Sequence, residues 1–120
     1  MLPNLVILYV DSVATSARFY TDLIGKAPVE SSPTFTMFAL PGIMLGLWSR
    51  HTVAPAAAAA PGAAEIAFTV ADRDSAGKVY ADWGARGLRI AQAPTDLDFG
   101  HTFVALDPDG HRLRVFAPAS

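Results

Sequence analysis

Three charged side chains in the second half of the chain have the chemistry of a polar binding site. Glu65 begins a short apolar run, and Arg112 and Arg114 alternate with apolar residues in the last run of the chain. Guanidinium and carboxylate groups form paired hydrogen bonds, and a guanidinium can also bind the carboxylate of a ligand. We therefore expect these groups to lie in a pocket for a small molecule that has one polar or anionic group.

The aromatic and methionine side chains of the first half point to an apolar ligand surface. Rings stack on flat molecules, methionine adapts to varied shapes, and a glycine leaves room for a close approach. The alternative is that these side chains only pack against one another. The complete set of predicted ligand-binding residues is Tyr9, Phe35, Met37, Met44, Gly46, Trp48, Glu65, His101, Phe103, Arg112 and Arg114.

The histidines are spread along the sequence, at His51, His101 and His111. We interpret them as separate surface residues rather than as a metal-binding trio. His101 is included in the site because the segment 96–101 is predicted to be a loop at the rim of the cavity. Asp96 and Asp98 in that loop could accept a proton, although exposed loop carboxylates are usually only solvated. No Gly-rich phosphate loop, Ser-His-Asp order or Cys-His pair is present.

The composition limits the class of protein. The chain has 120 residues, of which 52% are hydrophobic and 17% charged, and its formal net charge is −2. These values predict a single folded domain, residues 1–120, and no nucleic-acid partner. Without cysteine there is neither a disulfide nor a thiolate metal site. The first apolar run has no basic start and stops at Asp11, so we expect a cytoplasmic protein without a membrane partner.

The second half ends in a predicted β-hairpin around Asp107-Pro108-Asp109-Gly110. If this turn has four residues, Leu106 faces His111 and Phe103 faces Arg114. One side of the hairpin then carries Phe103, Ala105, Arg112, Arg114 and Phe116, and the other side is aliphatic core.

The chain contains two copies of one β-α-β-β-β unit. The first copy is predicted over about residues 3–50, with a helix from Asp11 or Ser12 to Ile24. A linker follows at about 51–63, and the second copy covers about 64–118, with a helix from Asp72 or Asp74 to Gly84 and a weak strand over 88–91. A shift of 60 aligns the first strands and helices, and shifts of 66 and then 68 align the hairpins. We predict an α+β fold with two βαβββ modules related by a pseudo-two-fold axis, forming a curved mixed sheet around a concave cavity with the helices outside.

The first hairpin turns at Pro41-Gly42, which pairs Leu40 with Ile43 and Phe35 with Trp48. Phe35, Met37, Met44, Gly46 and Trp48 then share the cavity face. On the leading strands, we expect the more aliphatic residues to pack on the helices. The remaining positions, predicted for the cavity, are Leu5, Ile7, Tyr9, Glu65, Ala67 and Thr69.

The motifs and their order resemble the vicinal oxygen chelate superfamily of glyoxalase I, bleomycin-resistance proteins and ring-cleaving dioxygenases. They are Leu8-Tyr9-Val10-Asp11, the segment from Ser16 to Gly25, the segment from Glu65 to Val70, and Asp107-Pro108-Asp109-Gly110. Met44 to Ser49 and Thr95 to His111 look most like the phenazine-antibiotic resistance proteins of that superfamily.

The resemblance implies a function. Metal enzymes of the superfamily carry ligands at positions that correspond here to Leu5, Gly46, Glu65 and Arg114, and only Glu65 could bind a metal. We expect an ion pair between Glu65 and Arg114 in place of the metal, which either keeps the site neutral or presents the guanidinium to a ligand carboxylate. The alternative is a purely structural ion pair. We therefore expect no metal, no cofactor and no catalytic residue, but a homodimer that binds and sequesters a planar aromatic antibiotic-like molecule, with Trp48 as the stacking residue. The alternative is a lyase or isomerase, either metal-free with Glu65, Asp96 or His101, or with an unrecognised metal site.

Overall fold

The computed structural model describes residues 1–119. It contains two compact units, one that ends at Pro61 and one that begins at Gly62. This boundary falls within the predicted linker at 51–63. No helix in the described part of the chain is long and apolar enough to cross a membrane.

Each unit has one helix and one four-stranded sheet. The first contains β1 (Leu5–Val10), α1 (Val13–Ile24), β2 (Glu30–Ser31), β3 (Phe35–Leu40) and β4 (Ile43–Ser49). The second contains β5 (Glu65–Thr69), α2 (Arg73–Ala85), β6 (Arg89–Leu97), β7 (Gly100–Leu106) and β8 (Arg112–Pro118). The strand orders β1-β4-β3-β2 and β5-β8-β7-β6 are the same, with the first strand of each unit parallel to the last. The predicted α+β class with two βαβββ units is confirmed.

Both helices begin where the sequence predicts. The Ser12 side chain accepts a hydrogen bond from the Thr15 backbone N–H at 3.2 Å, and α1 ends at Gly25, whose φ of 77° is left-handed. Asp72 caps α2 in the same way, accepting from the Ser75 N–H at 2.8 Å. Trp83 of α2 is buried and contributes to the core.

The first hairpin has the predicted register. Leu40 pairs with Ile43, Met37 with Gly46 and Phe35 with Trp48. Because cross-strand partners point to the same side, one side of this sheet carries the residues predicted for the cavity. The other side packs its buried residues with α1, among them Leu8, Val10, Phe38, Leu45 and Leu47.

The predicted register of the second hairpin is wrong by one residue. Asp107 pairs with His111, because the Asp107 N–H donates to the His111 carbonyl at 2.9 Å and the Gly110 N–H closes a turn onto the Asp107 carbonyl at 3.1 Å. Leu106 therefore faces Arg112, and Phe103 faces Val115 rather than Arg114. The Asp107 carboxylate, which is buried, holds this turn by accepting from the N–H groups of Asp109 and His111.

A one-residue slip moves every side chain of a strand to the other face. Phe103 lies on the helix side and is fully buried, with its ring 5.3 Å from that of Tyr80 and 5.5 Å from that of Trp83. The place predicted for Phe103 in the cavity is wrong for that reason. Val104 pairs with Arg114 in the second unit as Met37 pairs with Gly46 in the first. Residues of β7 therefore correspond to residues of β3 that are 67 positions earlier in the chain.

Strand β6 is longer than predicted. It extends from Arg89 to Leu97, so that Asp96 pairs with His101 across a short turn instead of lying in a loop. The pairing of β6 with β7 is irregular between Ile90 and Gln92 and between Gln92 and Thr95. These irregularities interrupt the alternation of inward and outward side chains by which a strand is predicted from sequence.

Candidate functional site

The side of each sheet that faces away from its helix is called here its open face. The first open face carries apolar side chains from three adjacent strands. Leu5, Ile7 and Tyr9 of β1 are opposite Met44, Gly46 and Trp48 of β4, and Phe35 and Met37 of β3 complete the surface. Between 37% and 41% of each of the three β1 residues is exposed, although all are apolar or aromatic. Such an exposed group of large apolar side chains is typical of a binding surface.

Gly46 has a different role from the one predicted. A Cβ at this position would lie 3.0 Å from Cε1 and Cζ of Phe35, so the Phe35 ring already covers the glycine. Phe35 in turn meets Trp48 edge to face, with centroids 6.1 Å apart and planes at 87°. The glycine therefore makes room for a ring of the protein itself, which fixes the Phe35–Trp48 pair.

The second open face is built around the Arg114 guanidinium. Its Nε donates to Oε2 of Glu65 at 3.1 Å, and its Nη2 donates to Oε1 at 3.0 Å. Its Nη1 donates to the Thr102 hydroxyl at 3.2 Å and to Oε1 of Gln92 at 3.4 Å. Only 16% of the Arg114 side chain is exposed, so these bonds hold a mostly buried charge in one orientation.

The Glu65 carboxylate is shared unequally between two arginines. The hydrogen bonds from Arg114 lower the pKa of Glu65, and partial desolvation opposes this effect. Arg112 adds a weaker attraction through Nη1, 3.7 Å from Oε1. The Arg112 side chain is 54% exposed and borders a small hollow of about 230 Å³ together with Gln92, Val104 and Arg114. It is the less constrained guanidinium of the two.

Four contacts of this face were missed or only partly predicted. The sequence does not predict Thr102, because the predicted register of β7 is wrong by one residue. It does not predict Gln92, because the predicted strand ends at residue 91. Phe99, in the β6–β7 turn, lies under the Arg114 guanidinium at 5.5 Å from ring centroid to Cζ, and its ring is 5.6 Å from that of Phe116. Phe116 was placed on the correct face by alternation but not assigned to the site. An aromatic in a tight turn beside a strand with arginines is the signal that could have identified Phe99.

His101 does not lie on the open face. It has the same parity along β7 as Phe103, which packs against α2, and its Nδ1 is 2.8 Å from Oδ1 of Asp96. His111 lies at the other end of the β7–β8 hairpin. In the first unit, His51 Nε2 is 2.7 Å from Oδ1 of Asp11. The prediction of His101 as a contact at the rim of the cavity depended on a loop that is in fact part of a strand.

Comparison with known proteins gives the same picture of the fold. The sequence profile of the Glyoxalase/Bleomycin resistance protein/Dioxygenase superfamily matches residues 3–115. The chain belongs to this superfamily. It is also 31% identical over 118 residues to the phenazine antibiotic resistance protein EhpR of Enterobacter agglomerans, covering 94% of this chain and 89% of the relative.

Two solved structures have a similar fold. The solution structure of protein ATC0852 from Agrobacterium tumefaciens is 49% identical, covers 100% of this chain and 99% of its own, and has a TM-score of 0.92. A glyoxalase/bleomycin resistance protein/dioxygenase from Nocardioides is 24% identical, covers 100% of this chain and 85% of its own, and has a TM-score of 0.86. The similarity to the Nocardioides protein concerns the fold alone.

The residues at the positions that the resemblance assigns to metal ligands do not fit a divalent cation. In the first unit, the side chains of Leu5 and Gly46 contain no donor atom. In the second, Arg114 is itself a cation and binds both oxygens of Glu65. Among residues 1–119, no three His, Cys, Asp or Glu side chains come together as a possible metal site. A divalent site requires three or four convergent ligands, which this set does not supply.

Proposed function

We propose that this protein binds and sequesters a planar aromatic antibiotic-like molecule without a metal ion. The observation that carries the proposal is the two-bond ion pair between Arg114 and Glu65, at the positions where metal enzymes of the superfamily carry ligands. A guanidinium held there repels a cation and cannot replace a Lewis acid in lyase or dioxygenase chemistry. Binding without a chemical step is the function that these residues support best.

The first open face supports a flat apolar ligand. Trp48, Phe35 and Tyr9 offer ring surface for stacking, and Met37 and Met44 adapt to the edge of the molecule. Tyr9 is 41% exposed, so a stacked ring would remove apolar area of both partners from water. Each square ångström of apolar surface buried contributes roughly 25 cal/mol.

The second open face supports a polar or anionic group on the ligand. Arg114 is occupied by Glu65, Thr102 and Gln92, whereas Arg112 touches Glu65 only at 3.7 Å. Arg112 is half-exposed and makes no short side-chain hydrogen bond among residues 1–119, so a ligand carboxylate could bind its guanidinium without displacing one. We propose Arg112 as the anion contact and Arg114 as the residue that holds Glu65 in place.

The similarity to EhpR, a phenazine antibiotic resistance protein by name, supports a tricyclic aromatic as the ligand class. Holding such a compound would keep it from its target with no change to the compound itself. We further propose a cytoplasmic homodimer, following the superfamily resemblance. Sedimentation at two protein concentrations tests the dimer, and cell fractionation tests the location.

The test is a fluorescence titration with phenazine-1-carboxylate and with unsubstituted phenazine. The chain has two tryptophans, so Trp83→Phe leaves Trp48 as the reporter and Trp48→Phe is the matched control. We expect saturable quenching in Trp83→Phe and little in Trp48→Phe, with Arg112→Gln weakening the carboxylate more than phenazine. Absence of saturable quenching would overturn the proposal, and so would conversion of the bound compound seen by mass spectrometry.

A further inference from the structure

The second unit contains a cleft on the helix side of its sheet, away from Arg114. Its volume is about 500 Å³, within the range of roughly 300–1,000 Å³ that is typical of small-molecule sites. The start of α2, the β6–β7 hairpin and the end of β8 form its walls. The polar wall contains Arg73, Asp96 and His101, and the apolar wall contains Leu97, Ala117 and Pro118.

His101 presents one ring nitrogen to a ligand in a defined state. Its Nδ1 lies 2.8 Å from Oδ1 of Asp96. An ionised carboxylate only accepts, so Nδ1 must carry the proton, and in the neutral ring Nε2 keeps its lone pair. Within residues 1–119, Nε2 makes no hydrogen bond and is not sealed from solvent. The ring is also well fixed, since only 16% of the side chain is exposed.

Asp96 is held in its ionised form and in place. Its Oδ1 also accepts a hydrogen bond from Nη1 of Arg73 at 2.6 Å. The hydrogen bond from His101, followed by that from Arg73, lowers the pKa of Asp96. A carboxylate behind an imidazole orients the ring and makes Nε2 a stronger acceptor. The cleft therefore has an oriented acceptor at its polar wall.

The charges around the cleft decide the kind of ligand. The lining contains two carboxylates, Asp72 and Asp96, and one guanidinium, Arg73. Asp74 adds a further negative charge in the first turn of α2, where the Asp72 side chain already accepts from the Ser75 N–H. This balance disfavours an anion. An acceptor nitrogen above a small apolar wall instead suits a neutral molecule with a hydroxyl donor and an apolar body.

We propose that this cleft is a second binding site, which takes small phenols or alcohols whose hydroxyl donates to Nε2 of His101. Asp96 and His101 lie on the side of the second sheet opposite to Arg114, so the proposed hydrogen bond does not use the open face. It requires no metal and no chemical step.

The experiment is a titration of the full chain with phenol, followed through the ring-nitrogen NMR signals of the three histidines. His51 is an internal control, since it also bonds to an aspartate, Asp11, at 2.7 Å but is far more exposed, at 62%. We expect a saturable shift of the His101 Nε2 signal, no saturable shift of His51, and no comparable effect of benzoate.

Substitutions of His101 and Asp96 test whether these residues form the phenol site. His101→Phe should weaken phenol binding at least about tenfold, a change of about 1.4 kcal/mol, and Asp96→Asn should weaken it by a smaller factor. His51→Gln is the matched control and should bind phenol as the parent protein does. Circular dichroism establishes whether each variant is folded. If His101→Phe does not fold, the weaker phenol binding expected for Asp96→Asn is the test. An unshifted His101 at saturating phenol, a parallel saturable shift of His51, or equal binding of benzoate would overturn the proposal.

Discussion

Arg114 binds Glu65 through two parallel hydrogen bonds, from Nε to Oε2 at 3.1 Å and from Nη2 to Oε1 at 3.0 Å. The pair joins β8 to β5, one of the two edge strands of the second sheet. It gives the second open face a fixed carboxylate and a fixed guanidinium. Both the stability of this edge and the proposed function depend on it.

Protonation of Glu65 in acid should lower the free energy of unfolding. Its folded-state pKa is lowered, chiefly by the Arg114 hydrogen bonds, so its contribution to stability is present above the unfolded pKa of about 4.3 and is lost as pH falls through the folded pKa. Glu65→Gln removes this contribution. We expect the difference in unfolding free energy between the two proteins, from urea melts, to shrink as the solution is acidified below about pH 4. The other carboxylates are common to both proteins. A difference that does not vary with pH would contradict this account of Glu65.

Phe103 should contribute to stability and not to binding. It is fully buried between Tyr80 and Trp83 of α2, so Phe103→Ala should cost about 3–5 kcal/mol of unfolding free energy. Phe103→Leu fills most of that space and should keep the affinity for phenazine-1-carboxylate. Phe35→Leu, on the open face, should show the reverse pattern, with a small stability cost and weaker ligand binding. Loss of affinity in a folded Phe103→Leu variant would restore the predicted cavity role.

The order of the helices and strands, and the register of the first hairpin, can be predicted from the sequence. Pro41-Gly42 is the tight turn of the first hairpin, so counting outward gives the observed pairing of Phe35 with Trp48. The second turn is different because Asp107 can end the strand or belong to the turn. Its buried carboxylate accepts from the N–H groups of Asp109 and His111 and pairs Asp107 with His111. These hydrogen bonds set the register that places Phe103 in the core instead of the predicted cavity.

Gly46→Ala should strain the first open face. The new Cβ would meet the end of the Phe35 ring at 3.0 Å, and the ring must move by a few tenths of an ångström relative to Trp48. We expect a loss of about 1 kcal/mol in unfolding free energy and a change in Trp48 emission in a Trp83→Phe background. Combined with Phe35→Ala, the same substitution should be neutral or stabilising, because glycine weakens a strand interior. A cost that remains in the double variant would show that Phe35 is not the cause.

Gly100→Ala should be one of the most damaging small substitutions. Gly100 has φ +152°, and a Cβ there would lie 2.0 Å from the carbonyl oxygen of Ala117, a backbone atom. We expect a loss of about 3 kcal/mol or more, read from the urea midpoint. Gly77→Ala, in the interior of α2 with open space around it, is the matched control and should stabilise by roughly 0.5–1 kcal/mol. Equal effects of the two substitutions would contradict the backbone constraint at Gly100.

The candidate site could be predicted only in part. Strand alternation places Glu65 and Arg114 on one face, and the parallel pairing of β5 with β8 confirms this placement. The contacts of Arg114 with Gln92 and Phe99 depend on the extended and irregular β6 strand and on its tight turn. No local pattern in the sequence specifies such irregularities. The same strand brings Asp96 against His101 on the helix side.

Equilibrium dialysis of phenazine-1-carboxylate against chelator-treated protein measures directly whether the protein binds this ligand without a metal ion. We expect saturable binding that is unchanged when zinc, nickel or iron is added back, because Arg114 and not a metal holds the Glu65 carboxylate. Arg114→Met should weaken that binding and should not make it metal-dependent. Binding that appears only after a divalent metal is added would show that the site requires a metal ion and would overturn metal-independent binding.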